Sequence, residues 1–451
     1  MEKNLTTGSV FKNVVLFSLP YLLSYFLQTL YGMADLFIIG QFEGVASTTA
    51  VSIGSQVMHM LTVMIVGLSM GTTVSVGQAV GAGDRKQAAH NIGNTVILFL
   101  VSIALTAILL SLVHPIVVAI STPTDAVSGT VTYLTICFIG IPFITSYNII
   151  SSIFRGLGDS KSPMCFIATA CAANIALDYL FMGVLHLGPA GAALGTTLSQ
   201  AISVVVSLTV ILKRRSIVLK KSDFKPCRAV MGKILGIGIP IAFQDGLIQV
   251  AFIIITIIAN QRGLNDAAAV GIVEKVISFL FLVPSSMLST VSALGAQNIG
   301  AGKPERAIQT LRYAVMLAAG FGVLASIAIQ FTAEGIVSLF TDPSTADGAA
   351  VVRFGGQYLR GYIFDCIFAG IHFSFSGFFC ACRKSGLSFL HNILAIVLMR
   401  VPGVYVTSKL FPATLLPMGL ATAAGSLLSV VICLIAFGVI RRKSTLVLVE
   451  E

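Results

Sequence analysis

The sequence contains very little charge. Only 10% of its 451 residues are charged, whereas 56% are hydrophobic, and the mean hydropathy is +0.95. Soluble domains carry about 25% charged residues. A chain with so few charges cannot cover a folded surface with polar groups. This excludes an ordinary water-soluble protein and predicts that the chain lies in a lipid bilayer.

Motifs that define several other classes of protein are also missing. The eight cysteines form no disulfide framework, and their only close pair, Cys380 and Cys382, has no further ligand at zinc spacing. There is no GxxxxGK[ST] phosphate loop, so ATP drive is not encoded. The paired DxxxD-type magnesium motif of an intramembrane prenyltransferase is absent as well. We therefore expect neither an enzyme nor a cofactor.

What the sequence does contain is a duplication. The stretch GQAVGAGDRKQA at 77–88 returns as AQNIGAGKPERA at 296–307, with five identities at an offset of 219. Pro20 and Pro240, 220 apart, also lie in similar apolar contexts. Such a repeat is typical of transporters built from two related halves. We predict three parts, namely an N-terminal lobe at 1–212, a basic linker at 213–231 and a C-terminal lobe at 232–451.

Each half contains six apolar runs of at least roughly 20 residues, the length that crosses a bilayer. The predicted fold is an all-α integral membrane protein with 12 transmembrane helices. Because six is even, both halves begin on the same side, so the lobes should be parallel repeats around a central cleft. The runs lie at about 12–40, 49–75, 91–113, 131–153, 163–185, 190–212, 232–259, 267–295, 308–331, 355–380, 385–409 and 413–440.

The lysines and arginines predict the orientation. Of the 28, Lys275 and Arg400 lie inside spans, four lie in loops on one side, and the other 22 lie in loops on the opposite side. Positive residues favour the cytoplasmic side. We therefore expect both termini and the linker in the cytoplasm, with the chain in the plasma membrane of a prokaryotic cell. The basic surface should meet anionic lipid headgroups and not nucleic acid.

Ionisable residues inside spans indicate functional sites, because a charge at mid-bilayer costs at least about 2.5 kcal/mol. In the first half, Asp35, Asn174, Asp178 and Thr196 should lie at similar depth, and Asn174 and Asp178 are one helical turn apart. These oxygens could form a cage for a small cation such as Na+. The two carboxylates could equally share a proton. Alternatively, the four residues only bond helices together.

The second half is charged differently. Glu274, Asp365 and Arg400 form a predicted polar cluster, in which Glu274 and Arg400 could be a buried salt bridge. Lys275 can extend toward the outer surface.

Two further expectations concern the path of a substrate. Methionine and aromatic side chains suit an adaptable apolar cleft. Pro20 removes a hydrogen bond from the first helix about four turns before Asp35, so it is a candidate hinge. We expect the substrate cleft to be lined by Gln28, Tyr31, Met33, Asp245 and Gln249.

The chain resembles the multidrug and toxic compound extrusion (MATE) family of the MOP flippase superfamily. The resemblance covers nearly the whole chain and depends on the repeated motif, FRGLGDSKSP at 154–163 and GPAGAALGTTLSQ at 188–200. It is greatest for the branch with DinF-like and archaeal members. That resemblance implies cation or proton binding by Asp35, Asn174, Asp178 and Thr196.

One part of the chain departs from the related NorM-like branch. That branch has an acidic residue about two turns after the seventh-helix proline, where this chain has Ile248 and Gln249. A cation site in the second half is therefore not implied.

The resemblance implies a secondary active multidrug exporter. Such a protein, acting as a monomer, moves amphipathic and often cationic compounds outward by alternating access, in exchange for Na+ or H+. A lipid-linked oligosaccharide flippase of the same superfamily is the main alternative. It predicts a more basic cavity and often two extra spans, and neither is evident. A passive channel is a further alternative.

Overall fold

The computed structural model describes residues 4–120, 122–214 and 219–442, and all regular structure in these ranges is helical. Part of the predicted linker, 215–218, and the basic residue Lys443 lie outside the described residues. The first half of the chain forms α1 (Val10–Phe42), α2 (Val45–Gly81), α3 (Arg85–Ser111), α4 (Val113–Ala119), α5 (Thr124–Ile139), α6 (Ile141–Gly156), α7 (Lys161–Asp178), a π-helical turn (Tyr179–Val184) and α8 (Gly188–Arg214).

The second half begins after a short 3-10 turn, Lys221–Phe224. Its helices are α9 (Arg228–Asn260), α10 (Leu264–Leu280), α11 (Leu282–Gly300), α12 (Pro304–Val337), α13 (Ala346–Tyr362), α14 (Phe364–Ala381), α15 (Ser385–Ala395), a second π-helical turn (Ile396–Arg400), α16 (Val401–Leu410) and α17 (Leu416–Arg442).

These helices account for the predicted membrane spans. Ten helical segments among the described residues are long and apolar enough to cross a membrane, and the pair α5–α6, bent by 46°, adds an eleventh. The helix α3, 27 residues long, contains all but the last two residues of the remaining predicted span at 91–113. Each predicted apolar run therefore falls on a helix or a helix pair, and the prediction of an all-α integral membrane protein is confirmed.

The repeated motif forms the same kind of turn in both halves. Gly83 and Gly302 have φ angles of 74° and 67°, in the left-handed region that favours glycine. In the first copy, Asp84 Oδ1 accepts a hydrogen bond of 2.9 Å from the Gln87 amide and caps α3. The repeat in the sequence thus marks a tight reversal between two long helices.

By packing, the chain separates into two compact units, and two helices cross the boundary between them. The first unit holds Asn4 and Leu19–Ala242, and the second holds Leu5–Ser18 and the chain from Phe243 onward. This division differs from the lobes expected from the repeat, 1–212 and 232–451. The first part of α1 packs with the second unit, and the first part of α9 packs with the first unit. Both changes of unit occur within three residues of Pro20 or Pro240.

Hydrogen bonds hold the segment before α1 on the second unit. Lys303 Nζ donates to the Thr6 carbonyl over 3.0 Å, and Arg306 Nη2 donates to the Gly8 carbonyl over 3.1 Å. Both basic residues belong to the second copy of the repeated motif. The ends of α1 are therefore held by different units.

The segment before α9 is held on the first unit in a similar way. Asn94 Oδ1 accepts from the Cys227 amide over 2.7 Å, and Asn94 Nδ2 donates to the Lys225 carbonyl over 3.3 Å. The Asp223 carbonyl lies so close to Gly93 that a side chain there would overlap it. Thus α3 supplies the surface on which the chain enters α9.

Candidate cation site

The four polar residues predicted from the first half come together inside the first unit. Thr196 Oγ1 on α8 donates a 3.0 Å hydrogen bond to Asp35 Oδ2 on α1. The Asp35 side chain also lies against Asp178 and Asn174, which belong to the last two turns of α7. Asp35 is only 3% exposed, and Asp178 and Asn174 are fully buried. Three helices therefore converge on one polar site.

The backbone around Asp178 is unusual. A π-helical turn follows directly at Tyr179–Val184, and such turns often occur at functional sites. On the neighbouring helix, a Cβ atom at Gly195 would overlap Asp178 Oδ1. Glycine at this position lets α8 approach the carboxyl closely. The sequence stretch GPAGAALGTTLSQ thus supplies both this glycine and the adjacent Thr196.

Most polar atoms of this site have no hydrogen-bond donor or acceptor that meets geometric criteria within the described residues. These atoms are Asp35 Oδ1, both carboxylate oxygens of Asp178, and both side-chain polar atoms of Asn174. Two ionised carboxylates in contact inside an apolar interior repel each other and lose their hydration. A proton or a cation bound at this site would offset that cost. A divalent or transition metal is less suited, because no cluster of three His, Cys, Asp or Glu occurs among the described residues.

Two tyrosines lie in the electrostatic neighbourhood of Asp35. Tyr31, which the sequence suggested for a substrate cleft, is one turn before Asp35 on α1. Tyr133 on α5 is buried, and its ring occupies the space beside Gly54. Sequence reasoning missed Tyr133, because a tyrosine in an apolar run has the same pattern as a core residue.

The other residues predicted for the cleft have varied surroundings. In the first unit, Gln28 is partly buried and neighbours Tyr147, whereas Met33 is 46% exposed. In the second unit, Asp245 and Gln249 are partly buried on α9. Their role in substrate binding stays a prediction.

In the second unit, the prediction of a salt bridge between Glu274 and Arg400 is wrong. Arg400 Nη2 instead lies 2.8 Å from Asp365 Oδ2 and donates to Ser426 Oγ over 2.8 Å. The Glu274 carboxylate accepts a 3.2 Å hydrogen bond from Thr256 Oγ1 on α9. Spacing along the sequence gave the depth of these residues in their helices but not the direction in which each side chain points.

The second unit contains further buried polar groups. Tyr358 and Tyr362 neighbour both Glu274 and the Arg400–Asp365 pair. The buried His391 bonds Ser376 Oγ through Nε2 over 2.9 Å, and its Nδ1 lies 3.2 Å from Ser429 Oγ. Unlike the site in the first unit, this cluster contains its own cation beside a carboxylate.

The all-helical membrane fold and the buried carboxyl pair fit a membrane transporter, and the family comparison shows this class. The sequence model of the MatE family matches residues 20–180 and 240–406, and the chain belongs to this family of transporters, which are not enzymes. It is 30% identical over 421 residues to the "Probable multidrug resistance protein YpnP" of Bacillus subtilis, covering 93% of this chain and 92% of that protein.

Other comparisons agree. The "Multidrug export protein MepA" of Staphylococcus aureus is 24% identical over 412 residues, which are 90% of this chain and 89% of that protein. A solved structure described as the outward-facing conformation of a multidrug resistance MATE family transporter of the MOP superfamily matches with a TM-score of 0.90. It is 21% identical, and the match covers 98% of both chains. This structural likeness supports the fold.

Breaking the Arg400–Asp365 pair should destabilise the protein strongly. Asp365→Asn leaves a buried guanidinium without its counter-ion, and such losses cost about 3–5 kcal/mol. We expect a clear fall in Tm for Asp365→Asn and for Arg400→Met, measured on detergent-purified protein. The double variant Asp365→Asn/Arg400→Met should be more stable than either single variant, because no buried charge is left.

The exposed ion pair of the same unit serves as the control. Arg360 Nη1 lies 3.0 Å from Glu334 Oε1, and the Glu334 side chain is 52% exposed. Glu334→Gln should change the stability by less than about 1 kcal/mol. Additive losses in the Asp365/Arg400 double variant would show that the two residues do not stabilise the unit as a pair.

Proposed function

We propose that this protein is a secondary active exporter that moves amphipathic, often cationic organic compounds out of the cell in exchange for Na+ or H+. The names of the MATE relatives, which are multidrug resistance and export proteins, support this class of substrate. The sequence has no phosphate-binding loop, so an ion gradient is the natural energy source.

The observation that carries the proposal is the contact between Asp35 and Asp178 in the interior of the first unit. A small cation would gain two carboxylates, the Asn174 amide oxygen and the Thr196 hydroxyl as oxygen ligands. A proton would instead be shared between the carboxyls and would relieve their repulsion. Either ion changes the charge of a site at which α1, α7 and α8 meet, so its binding can alter how these helices pack.

Coupling then follows from linkage. The ion and the organic compound must favour different states of the transporter, and each weakens the binding of the other by the same factor. Alternating access would expose the site first to one side of the membrane and then to the other. An exporter of this kind needs only one ion site whose occupancy shifts the balance between the states.

Removing either carboxylate should abolish gradient-driven export. In proteoliposomes with an imposed Na+ or H+ gradient, Asp35→Asn and Asp178→Asn should each reduce export of ethidium, an amphipathic cation, at least tenfold. Binding of ethidium to the purified variants should be largely retained, because apolar contacts supply much of the affinity for such ligands. The double variant should be little worse than either single variant, because residues of one site act together.

The control is Asp125→Asn, which removes an exposed carboxylate in the first turn of α5 and should leave export unchanged. Transport is normalised to monodisperse protein, so that poor folding is not mistaken for lost coupling. Full normalised export by Asp35→Asn would contradict the ion site and assign the acid pair to helix packing.

We also propose that Pro20 is a hinge in α1. Proline cannot donate the hydrogen bond to the carbonyl four residues earlier, and the two parts of α1 belong to different units, divided between Ser18 and Leu19. Pro20→Ala restores a donor and should slow transport at least threefold while Tm is unchanged or raised. Pro304→Ala is the control, since Pro304 is the first residue of α12, where no helical bond is lost. Wild-type transport by Pro20→Ala would exclude the hinge.

The proposed orientation has both termini and the linker in the cytoplasm. Ser222 in the linker and Ser344 between α12 and α13 are both exposed. After replacement of the native cysteines, a membrane-impermeant maleimide added to intact cells should label Ser344→Cys but not Ser222→Cys. Cys227 must be removed in particular, because a hydrogen bond with His90 lowers the pKa of its thiol and makes it reactive. Labelling of Ser222→Cys from outside would show that the linker lies outside the cell and would contradict the proposed orientation.

A further inference from the structure

Among the residues that the structure describes, one arginine of the first unit is buried without a carboxylate partner. Arg155 was expected in a loop, but it lies in the last turn of α6 and is only 6% exposed. Its guanidinium carbon lies 4.1 Å from the centre of the Tyr21 ring, and Tyr25 and Tyr147 are also neighbours. None of the ion pairs seen among the described residues includes Arg155. Arg400 in the second unit, by contrast, is neutralised by Asp365.

Polar side chains follow one face of α1 from Arg155 toward the acid pair. Tyr21, Tyr25, Gln28, Tyr31 and Asp35 are spaced by four, three, three and four residues, which keeps them on one side of a helix. From Tyr21 to Asp35 this face is fourteen residues long, or about 21 Å of helix.

A second polar face, on α6, lies beside the first. Tyr147, Ser151 and Arg155 are each four residues apart. Tyr147 neighbours Gln28 on α1 and Ser151 on its own helix, and it also neighbours Tyr31, which is next to Asp35. We call these two faces together the polar file. It connects the acid pair with the end of α6 that the proposed orientation places at the cytoplasm.

The hydroxyl and amide groups of the polar file recur between the acid pair and Arg155, and the buried hydroxyls of Tyr147 and Ser151 have no hydrogen-bond partner among the described residues. Such unpaired oxygens could contact a proton or a small cation that moves along the file. If the coupling ion could pass along this route without a substrate, the gradient would be dissipated. A positive charge near the end of such a route opposes the passage of cations, as charged residues do in selective pores. The Tyr21 ring contacts the Arg155 guanidinium without neutralising it, whereas a carboxylate would cancel its field.

We propose that Arg155, held by Tyr21, is the cation barrier of the first unit. Its uncompensated charge prevents the coupling cation from passing between the acid pair and the cytoplasm along the polar file. This inference rests on the proposed function, because it assumes that the ion that reaches Asp35 and Asp178 must not cross the membrane alone.

The test is passive ion flux through purified protein in liposomes, without any organic substrate. Proton entry is measured with an internal pH-sensitive dye under an imposed pH gradient, and sodium entry with radioactive Na+. Arg155→Gln should raise the flux of the coupling ion at least tenfold over wild type. This tenfold increase corresponds to a barrier lowered by about 1.4 kcal/mol. Arg155→Lys keeps the charge, and its flux should stay within about twofold of wild type.

A second variant covers the case in which Arg155→Gln does not fold. Tyr21→Leu removes the ring beneath the guanidinium and should also raise the flux. Arg312→Gln, which removes an exposed positive charge from α12, is the control and should not leak. Wild-type flux through the folded Arg155→Gln and Tyr21→Leu variants would overturn the proposal that Arg155 is a cation barrier. So would equal leakage through Arg155→Lys and Arg155→Gln, because the charge would then not be the cause.

These outcomes are separable from a failure of the proposed function. Should wild-type protein show no gradient-driven export while Arg155→Gln leaks, the barrier stands and the exporter assignment fails. If wild type couples export to the gradient but the folded Arg155→Gln and Tyr21→Leu variants remain tight, the exporter assignment stands and the barrier is excluded.

Discussion

The central feature of the structure is the contact between the buried carboxyl groups of Asp35 and Asp178. An apolar interior makes this contact unfavourable when both groups are charged. Two negative charges there cannot persist without a proton, a cation or a donor, and Thr196 supplies only one hydrogen bond to Asp35. Two features of the neighbouring backbone accompany this contact. Gly195 lets α8 approach Asp178, and the π-helical turn after α7 begins at the next residue. Under the proposed function, an ion bound here would contact side chains of three helices, α1, α7 and α8.

The two halves share a duplicated motif but differ in whether their buried carboxylates have an arginine partner. In the second unit, Arg400 lies against Asp365 and neutralises that carboxylate. Among the described residues of the first unit, no arginine pairs with the two acids, and Arg155 lies over the Tyr21 ring at the far end of the polar file. The second unit thus carries an internal cation beside a buried carboxylate, whereas the proposed function requires the first unit to take its cation from solution. On this account, the ion dependence of transport originates in the first unit.

Much of this arrangement follows from the sequence. Apolar run lengths gave the spans, and counting residues along them gave the depth of Asp35, Asn174, Asp178 and Thr196, which do meet. Rotation about each helix axis is not encoded in run length, so the partner of Arg400 was wrongly expected to be Glu274. The burial of Arg155 was missed because a basic residue at the end of a span has the same pattern as a loop residue. The division of α1 and α9 between the two units, near Pro20 and Pro240, was not predicted, because it depends on packing between segments far apart in the chain.

The central claim is that a cation and an organic substrate compete, through the acid pair, for different states of the transporter. The most direct test is the Kd of wild-type protein for ethidium, measured by fluorescence as Na+ is varied at fixed pH and as pH is varied at fixed Na+. The account predicts that the Kd rises with the concentration of the coupling ion and then saturates. A Kd that is unchanged by either ion over the full range would contradict it.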